Sequence, residues 1–560
     1  MLITLIAFLY IFITSYAVGR YSFHALNRYL FDNPAPIGSA AMYSLTGLGV
    51  IMTGAGYYSL LQPIGLSFNI ILSAVTLILL ITTKNGLPVV NKLPGISVTF
   101  LLITLVFILI KTAGPITNPD TGGYHLPIVK WNETYPVVKG LANVHSRFGF
   151  NYQYLVLSAV YGFSFLNIPT LHVMNGYIML LLVWMIVAQM SYINNRLFTR
   201  MDIIRLVCLF FALNMSNAMS SISPDFPATA LTMMTILLLL KKAEEQTFFH
   251  FDATALLAFL IALSAVLFKL SAAPVLLFFI VYIPVFLKRG QLFLILFITG
   301  VLYFSPYLIR NYYISGYLVY PLYSIDWFDV DWKVPLQKAV FEKKIIWYYT
   351  LGLAEPREVA LQDMFTLWLG YMKKSNPVYL LIVGALAASC IFSLIAIAYI
   401  IVRRKWEEGK PAIIVYTLLY LSLAYWFVQA PDPRFGNGFI IPFIALTAGL
   451  FAYNWLKKIP GLTVFGAIMI LVLLQVAMIT GKAVSSSRYN KENKVTYNLV
   501  MPASYPECNT EKQETQNGII LNKVPSAGQC WDCNLPCSFI TDNYRLRGTR
   551  IQDGFMPVEE

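Results

Sequence analysis

Charge is what this sequence has least of. Charged residues occupy 12% of its 560 positions, against 58% for hydrophobic ones, and a soluble domain would carry about twice that charge. A freely soluble globular fold is therefore excluded. Acid is scarcer than base, with 27 Asp and Glu against 40 Lys and Arg. Histidine and cysteine are rare as well, at five and six residues. The long apolar runs contain almost no charge, which argues against a transporter carrying ions or headgroups past span midpoints. The first run, residues 1–19, lacks the basic lead of a cleaved signal peptide and is expected to stay as the first span. No internal repeat of the kind common in transporters is visible, and there is no low-complexity tract.

What the chain has instead is a series of apolar runs of about 17 to 25 residues, the length that crosses a bilayer core. They predict an all-α polytopic membrane protein. The net charge of +13 points away from nucleic acid, because Lys and Arg collect in short connections between apolar runs, as the positive-inside rule predicts. These connections are 20–28, 84–92, 196–205, 241–242, 288–289, 403–405 and 457–458. About fourteen crossings put every one of them in the cytoplasm, with the N-terminus and residues 481–560 outside. The expected organisation is helices over 1–113, an outer loop over 114–169, helices over 170–308, a long outer loop over 309–376, helices over 377–480, and an extracytoplasmic segment over 481–560. The apolar run 153–166 is too short to cross. It is expected to lie along the outer interface with its apolar face in lipid, one of several interfacial helices in that loop.

The polar motifs converge on the outer face. The first is Asp120-Thr-Gly-Gly-Tyr124-His125-Leu-Pro127, set between very apolar stretches. Irregular polar backbone beside a membrane is found where it lines a cavity or works at the interface. Asp120 suits a general base that activates a hydroxyl, and Gly122 and Gly123 let backbone approach a ligand. Tyr124, His125, Lys130 and Trp131 follow at spacings suited to one face of a short helix, with His145 and Arg147 later in the loop. The alternative for Asp120 is a cap on a helix over 121–134. Asp225, in Ser-Pro-Asp-Phe-Pro, reads equally as helix cap or site residue. Lys269 either snorkels to headgroups or binds an anion. Arg310 and Arg434 are further outer cations, the latter in Asp-Pro-Arg-Phe-Gly-Asn-Gly.

Asp326, Asp329 and Asp331, with Trp327 and Trp332, lack the glycine and closing glutamate of a calcium loop. They suit sugar stacking or an interfacial belt better. Cys508, Cys530, Cys533 and Cys537 cluster outside, where disulfides persist. Two bridges are expected, with three connectivities open, and zinc or redox chemistry at Cys-x-x-Cys is the alternative. Cys208 and Cys390 read as core.

At Asp120 the arrangement resembles the GT-C superfamily of membrane glycosyltransferases, which carry an acidic residue in an outer loop followed by juxtamembrane helices. Asp225 resembles their second acidic position. More closely, Asp-x-Gly-x-Tyr-His-Leu-Pro, Trp131, 140–143, the Arg147-Phe-Gly-Phe-Asn151 run, the terminal Cys-Trp-Asp, Arg547-Gly548 and Asp553-Gly554-Phe555 are similar to an uncharacterised family of bacterial polytopic membrane proteins. That family brings no established activity; the GT-C resemblance implies a multi-pass protein of the bacterial inner membrane that transfers sugar from a polyprenyl-phosphate donor to a cell-envelope glycan or glycolipid on the non-cytoplasmic face. Asp120 would deprotonate the acceptor hydroxyl, with Asp225 and His125 in the catalytic set. Lys269, His125, Arg310 and Arg434 would supply donor-phosphate contacts, and Tyr124, Lys130, His145 and Arg147 complete the substrate-binding set. No resident cofactor is assigned and a divalent metal stays open. The partners implied are the bilayer, the lipid-linked sugar and the acceptor. A polymerase or ligase acting on lipid-diphosphate-linked chains through outer arginines is the rival, and a lipid-linked glycan transporter the weaker one.

Overall fold

In a computed structural model, the described residues are 1–32, 39–83, 93–116, 118–191, 193, 197–375, 377–403, 406–459, 463, 466, 470, 474–477, 499–514, 520–525, 528–538 and 544–558. The chain is mostly helical, at 71%. Among the described residues, eight helices are long and apolar enough to cross a membrane, and four shorter apolar helices, Leu66–Thr82, Gln153–Leu166, Met174–Ala188 and Ala253–Phe268, join them. Length and composition thus support a polytopic membrane protein, without fixing the crossings at fourteen. The expected span over 462–480 lies largely outside the described residues, as does the basic connection 84–92.

Two expectations about helix ends change. The first helix runs unbroken over Leu2–Leu30, so 20–28 is the end of a helix and not a connection. No glycine or proline interrupts it after Gly19, and Arg28 in the last turn favours the negative end of the helix dipole. Gly19 itself is needed for packing: a Cβ there would lie 1.8 Å from the Tyr43 carbonyl, and one on Gly47 1.8 Å from that of Ser15. Helices Leu2–Leu30 and Ala40–Tyr58 therefore cross backbone to backbone at small residues, as membrane helices do. The segment 309–376 is only partly a loop. It contains the end of Gly290–Ser315 and two further helices, Leu336–Tyr349 and Leu361–Ser375.

The run 153–166 is a correction. Every residue of helix Gln153–Val160 is buried, so no face of it meets lipid. It is a core element, with the Tyr154 hydroxyl donating to Asn175 Oδ1 and Tyr161 bonded to Thr14. Its apolar faces are covered by protein on all sides, a pattern that periodicity alone cannot tell from a membrane-facing helix.

The most enclosed of the long helices are Asp225–Glu244 and Pro433–Leu456, 89% and 72% buried over their apolar windows, against 17% for Val378–Val402 at the periphery. The two central helices begin at Asp225 and beside Arg434, and both run away from those residues toward Lys241, Lys242 and Lys457. Helix Gly290–Ser315 runs the other way, from beside Arg289 toward Arg310. The basic ends thus oppose the ends that carry the polar motifs. The Leu2 and Ile3 amides donate to the Leu499 and Val500 carbonyls, and that of Ala503 to the Ala113 carbonyl. The start of the chain, the approach to Asp120 and the C-terminal segment therefore share one face.

That segment departs from the all-α pattern. Strands Glu511–Glu514 and Ile520–Lys523 pair antiparallel, Cys537–Ser538 adds in parallel, and Tyr544–Leu546 pairs with Phe555–Pro557. Two disulfides form as expected, Cys508–Cys533 and Cys530–Cys537. The Cys208 and Cys390 thiols are free, Cys208 buried in the core.

Candidate active site

The Asp120 backbone N–H donates to Asn118 Oδ1, and Thr121–His125 then forms a widened π turn that leads into helix Leu126–Thr134. Such turns recur at functional sites. Asp120 occupies the cap position with helical backbone angles, yet its side chain caps nothing. Its carboxylate, 27% exposed, instead lies between two guanidinium groups: Arg147 Nη1 at 3.7 Å and Arg434 Nη1 at 3.8 Å. The cap reading of Asp120 is thereby set aside.

Arg434 is fixed from its own helix. Asp432 caps Pro433–Leu456 by accepting from the Arg434 amide at 2.9 Å, and its carboxylate lies 3.2 Å from Arg434 Nε. The Tyr371 hydroxyl also donates to Asp432. Burial raises the Asp432 carboxyl, and the Arg434 charge opposes that rise. The Arg434 guanidinium packs over the Phe435 ring, and Lys269 Nζ lies 3.8 Å from the centre of the same ring. Lys269 stands where helix Ala253–Phe268 ends in extended backbone, and it pairs directly with Asp225. Five charged residues from four separate parts of the chain, with Arg147 as a sixth, thus form one cluster of balanced sign.

The aromatic wall comes from the motif. Arg147 lies 5.4 Å from the Tyr124 ring centre, and Tyr124 packs on His125 at 4.2 Å. His125 is 2% exposed. Burial lowers its pKa to about 4, with Asp120 and Asp225 pulling the other way, so near neutral pH its ring is uncharged. A neutral imidazole can donate or accept a proton but supplies no positive charge to a phosphate. His145 sits behind the site. It is held by burial to a pKa of about 3, and its Nδ1 accepts from the Arg147 amide, so it orients Arg147.

Two expected site residues lie elsewhere. Arg310 is fully buried, giving its Nε–H to Asn151 Oδ1 at 3.0 Å, Nη2–H to Asn132 Oδ1 at 2.7 Å and Nη1–H to Ser59. Its donors are engaged by neutral oxygens in a structural network. Lys130 donates to the Asp532 and Cys533 carbonyls at 2.7 and 2.8 Å and pairs with the Asp532 carboxylate. It fastens the disulfide segment to the motif helix. Gly122 serves the same docking: the Trp531 amide donates to its carbonyl, and a Cβ would sit 2.4 Å from the Trp531 indole. Gly123, by contrast, is open.

Sequence reasoning missed Asp432, Tyr371 and Phe435. Asp432 carried a signal, since Asp-Pro-Arg is a helix start. Tyr371 had none, because it comes from a helix inside an apparent loop. In the 326–331 segment, Asp326 pairs with Lys333 and Asp331 with Arg547. Among the described residues, no group of three or more His, Cys, Asp or Glu is placed to hold a metal ion.

Residues 1–441 match the family described as "Domain of unknown function (DUF8201)", and the chain belongs to that family. No curated protein and no solved structure matches it.

Proposed function

We propose that the protein is a membrane glycosyltransferase that moves a sugar from a polyprenyl-phosphate donor to a glycan or glycolipid hydroxyl with inversion. The observation that carries this reading is Asp120, a part-exposed carboxylate facing two guanidinium groups on the polar end of the bundle. In the transfer, Asp120 takes the acceptor hydroxyl proton. The acceptor oxygen then attacks the anomeric carbon from the side opposite the phosphate. The bond from that carbon to the phosphate oxygen breaks, and its electron pair leaves on polyprenyl phosphate. Inversion needs one base and a stabilised leaving group, and a single carboxylate supplies the first. Arg147, Arg434 and Lys269 supply the second, placing positive charge where the leaving oxygen becomes negative.

Asp225 holds Lys269 in place, and His125 is a neutral hydrogen-bonding group beside the reacting atoms. Fourteen crossings, with the basic helix ends in the cytoplasm, put this chemistry on the non-cytoplasmic face of the inner membrane. Helices Leu66–Thr82, Met174–Ala188 and Ala253–Phe268 fit this count only by crossing in company with neighbours, since alone they are shorter than a bilayer core.

The test is a glycan comparison in the native host. Lipid-linked and surface glycans are profiled by mass spectrometry in a deletion strain complemented with wild type or Asp120→Asn. Loss of one sugar residue, restored by wild type alone, is the expected result and names the product. Intact repeat units of reduced chain length would favour the polymerase reading instead.

A further inference from the structure

The two arginines that face Asp120 make ion pairs longer than hydrogen bonds. At 3.7 and 3.8 Å, neither reaches the roughly 2.7–2.9 Å of a charge-assisted hydrogen bond. Both guanidinium groups also have contacts that do not involve Asp120. The Arg147 backbone amide is held by His145, and its guanidinium lies over the Tyr124 ring. Arg434 is fixed by Asp432 and Phe435. The Asp120 carboxylate thus meets the two arginines only at long range, while each guanidinium has a second partner, Tyr124 for Arg147 and Asp432 for Arg434. The donor's phosphodiester carries one negative charge on two unsubstituted oxygens, which the two arginines can share at hydrogen-bond range, as a carboxylate held at nearly 4 Å is not.

Resting on the transferase reading, we propose that the Asp120 carboxylate and the donor's phosphate compete for Arg147 and Arg434, so that donor binding itself releases the base. The exchange is balanced in charge. The phosphate anion enters the pair of guanidinium groups, and one carboxylate leaves it with no proton moved. Released, Asp120 has its oxygens free to accept from the acceptor hydroxyl. Before that, they face cations. The site consequently becomes a base only when a leaving group is in position, which guards the donor against being spent on water. Specificity follows as well: a neutral polyprenol cannot displace the carboxylate, whereas any polyprenyl phosphate can, whatever sugar it carries.

The unusual consequence is that removing the base improves binding. Binding is measured with polyprenyl phosphate, bearing no sugar, in nanodiscs containing the full chain. Asp120→Asn is expected to bind about three- to tenfold more tightly than wild type, the scale of losing one competing ion pair. Arg147→Gln and Arg434→Gln are expected to bind more weakly than wild type, and polyprenol to bind wild type and Asp120→Asn equally. Asp120→Ser, with the charge removed by a smaller side chain, provides the same test if the Asn variant melts abnormally. Transfer is read in parallel from the complemented strain. Loss of transfer without tighter binding would overturn the competition and leave the transferase reading standing. Equal tightening for polyprenol would also overturn it. Retained transfer in Asp120→Asn would remove the transferase reading, and this proposal with it.

Discussion

The two ends of the helical bundle hold their charges differently. At the basic end, ion pairs are local. Asp202 pairs with Arg205 one turn away while completing a capping box with Thr199, Lys241 pairs with Glu245, and Lys242 pairs with the next helix's cap, Asp252. Each such pair closes a helix end or a short turn, two of them with buried members and one, Lys241–Glu245, largely exposed. At the other end, Asp120 meets Arg434 and Asp225 meets Lys269 across long stretches of sequence. Nothing in local folding requires those partners. Charges brought together by tertiary structure in a chain so poor in charge have a use beyond closing helices.

Variants at each end separate the roles of the two sets of charges. The largest effect belongs to Asp120→Asn, expected to lower transfer by roughly a hundredfold or more, the usual worth of a general base. The amount of folded protein in membranes should not change. At the opposite end, Asp252→Ala leaves fully buried Lys242 without its carboxylate and opens a cap on the Ala255 amide. It should cost about 2–3 kcal/mol of stability, read as a lower melting temperature in detergent. Transfer per folded molecule should stay at the wild-type level.

Acid gives the next effect. His125, His145 and His172 are held by burial at pKa values of about 4, 3 and 4, against about 6.5 in an unfolded chain. Below that value the unfolded chain binds protons that the folded one refuses, so stability is fully present above pH 6.5. It falls as pH drops toward 4, on the order of 3 kcal/mol for each histidine. A flat melting temperature over this window would contradict the burial of these rings. The smallest effect is local. Lys130→Ala removes the ties to Asp532 and Cys533 and should loosen the C-terminal segment by about 1–2 kcal/mol. The readout is faster limited proteolysis within 499–558, with the transmembrane part intact.

How much of this was legible in the sequence differs by level. Apolar runs and scarce charge made the membrane architecture readable, because lipid imposes both on composition. The residues around Asp120 were readable because a polar, glycine-containing run has few reasons to sit between apolar helices. Their partners were less so. Arg434, Lys269 and Asp225 were visible as outer charges, but that they meet Asp120 depends on how the two central helices pack, and one sequence does not encode that in any periodic signal. Arg310 looked the same as Arg434 from its spacing, yet amide and hydroxyl oxygens surround it. Gly122 read as an approach for ligand when its neighbour is the Trp531 indole. The helix at 153–160 failed for a related reason: its hydrophobicity is equally suited to lipid and to protein, and only its neighbours decide.

The proposed transferase would place its chemistry at one end of the bundle and leave the other only to close it. It is tested most directly by measuring product glycan per folded molecule in one complementation series, with Asp120→Asn and Arg434→Gln set beside Lys242→Met and Asp252→Ala. Near-zero product is expected for the first two and wild-type product per folded molecule for the second two. Equal losses at both ends, or a silent Asp120→Asn, would contradict it.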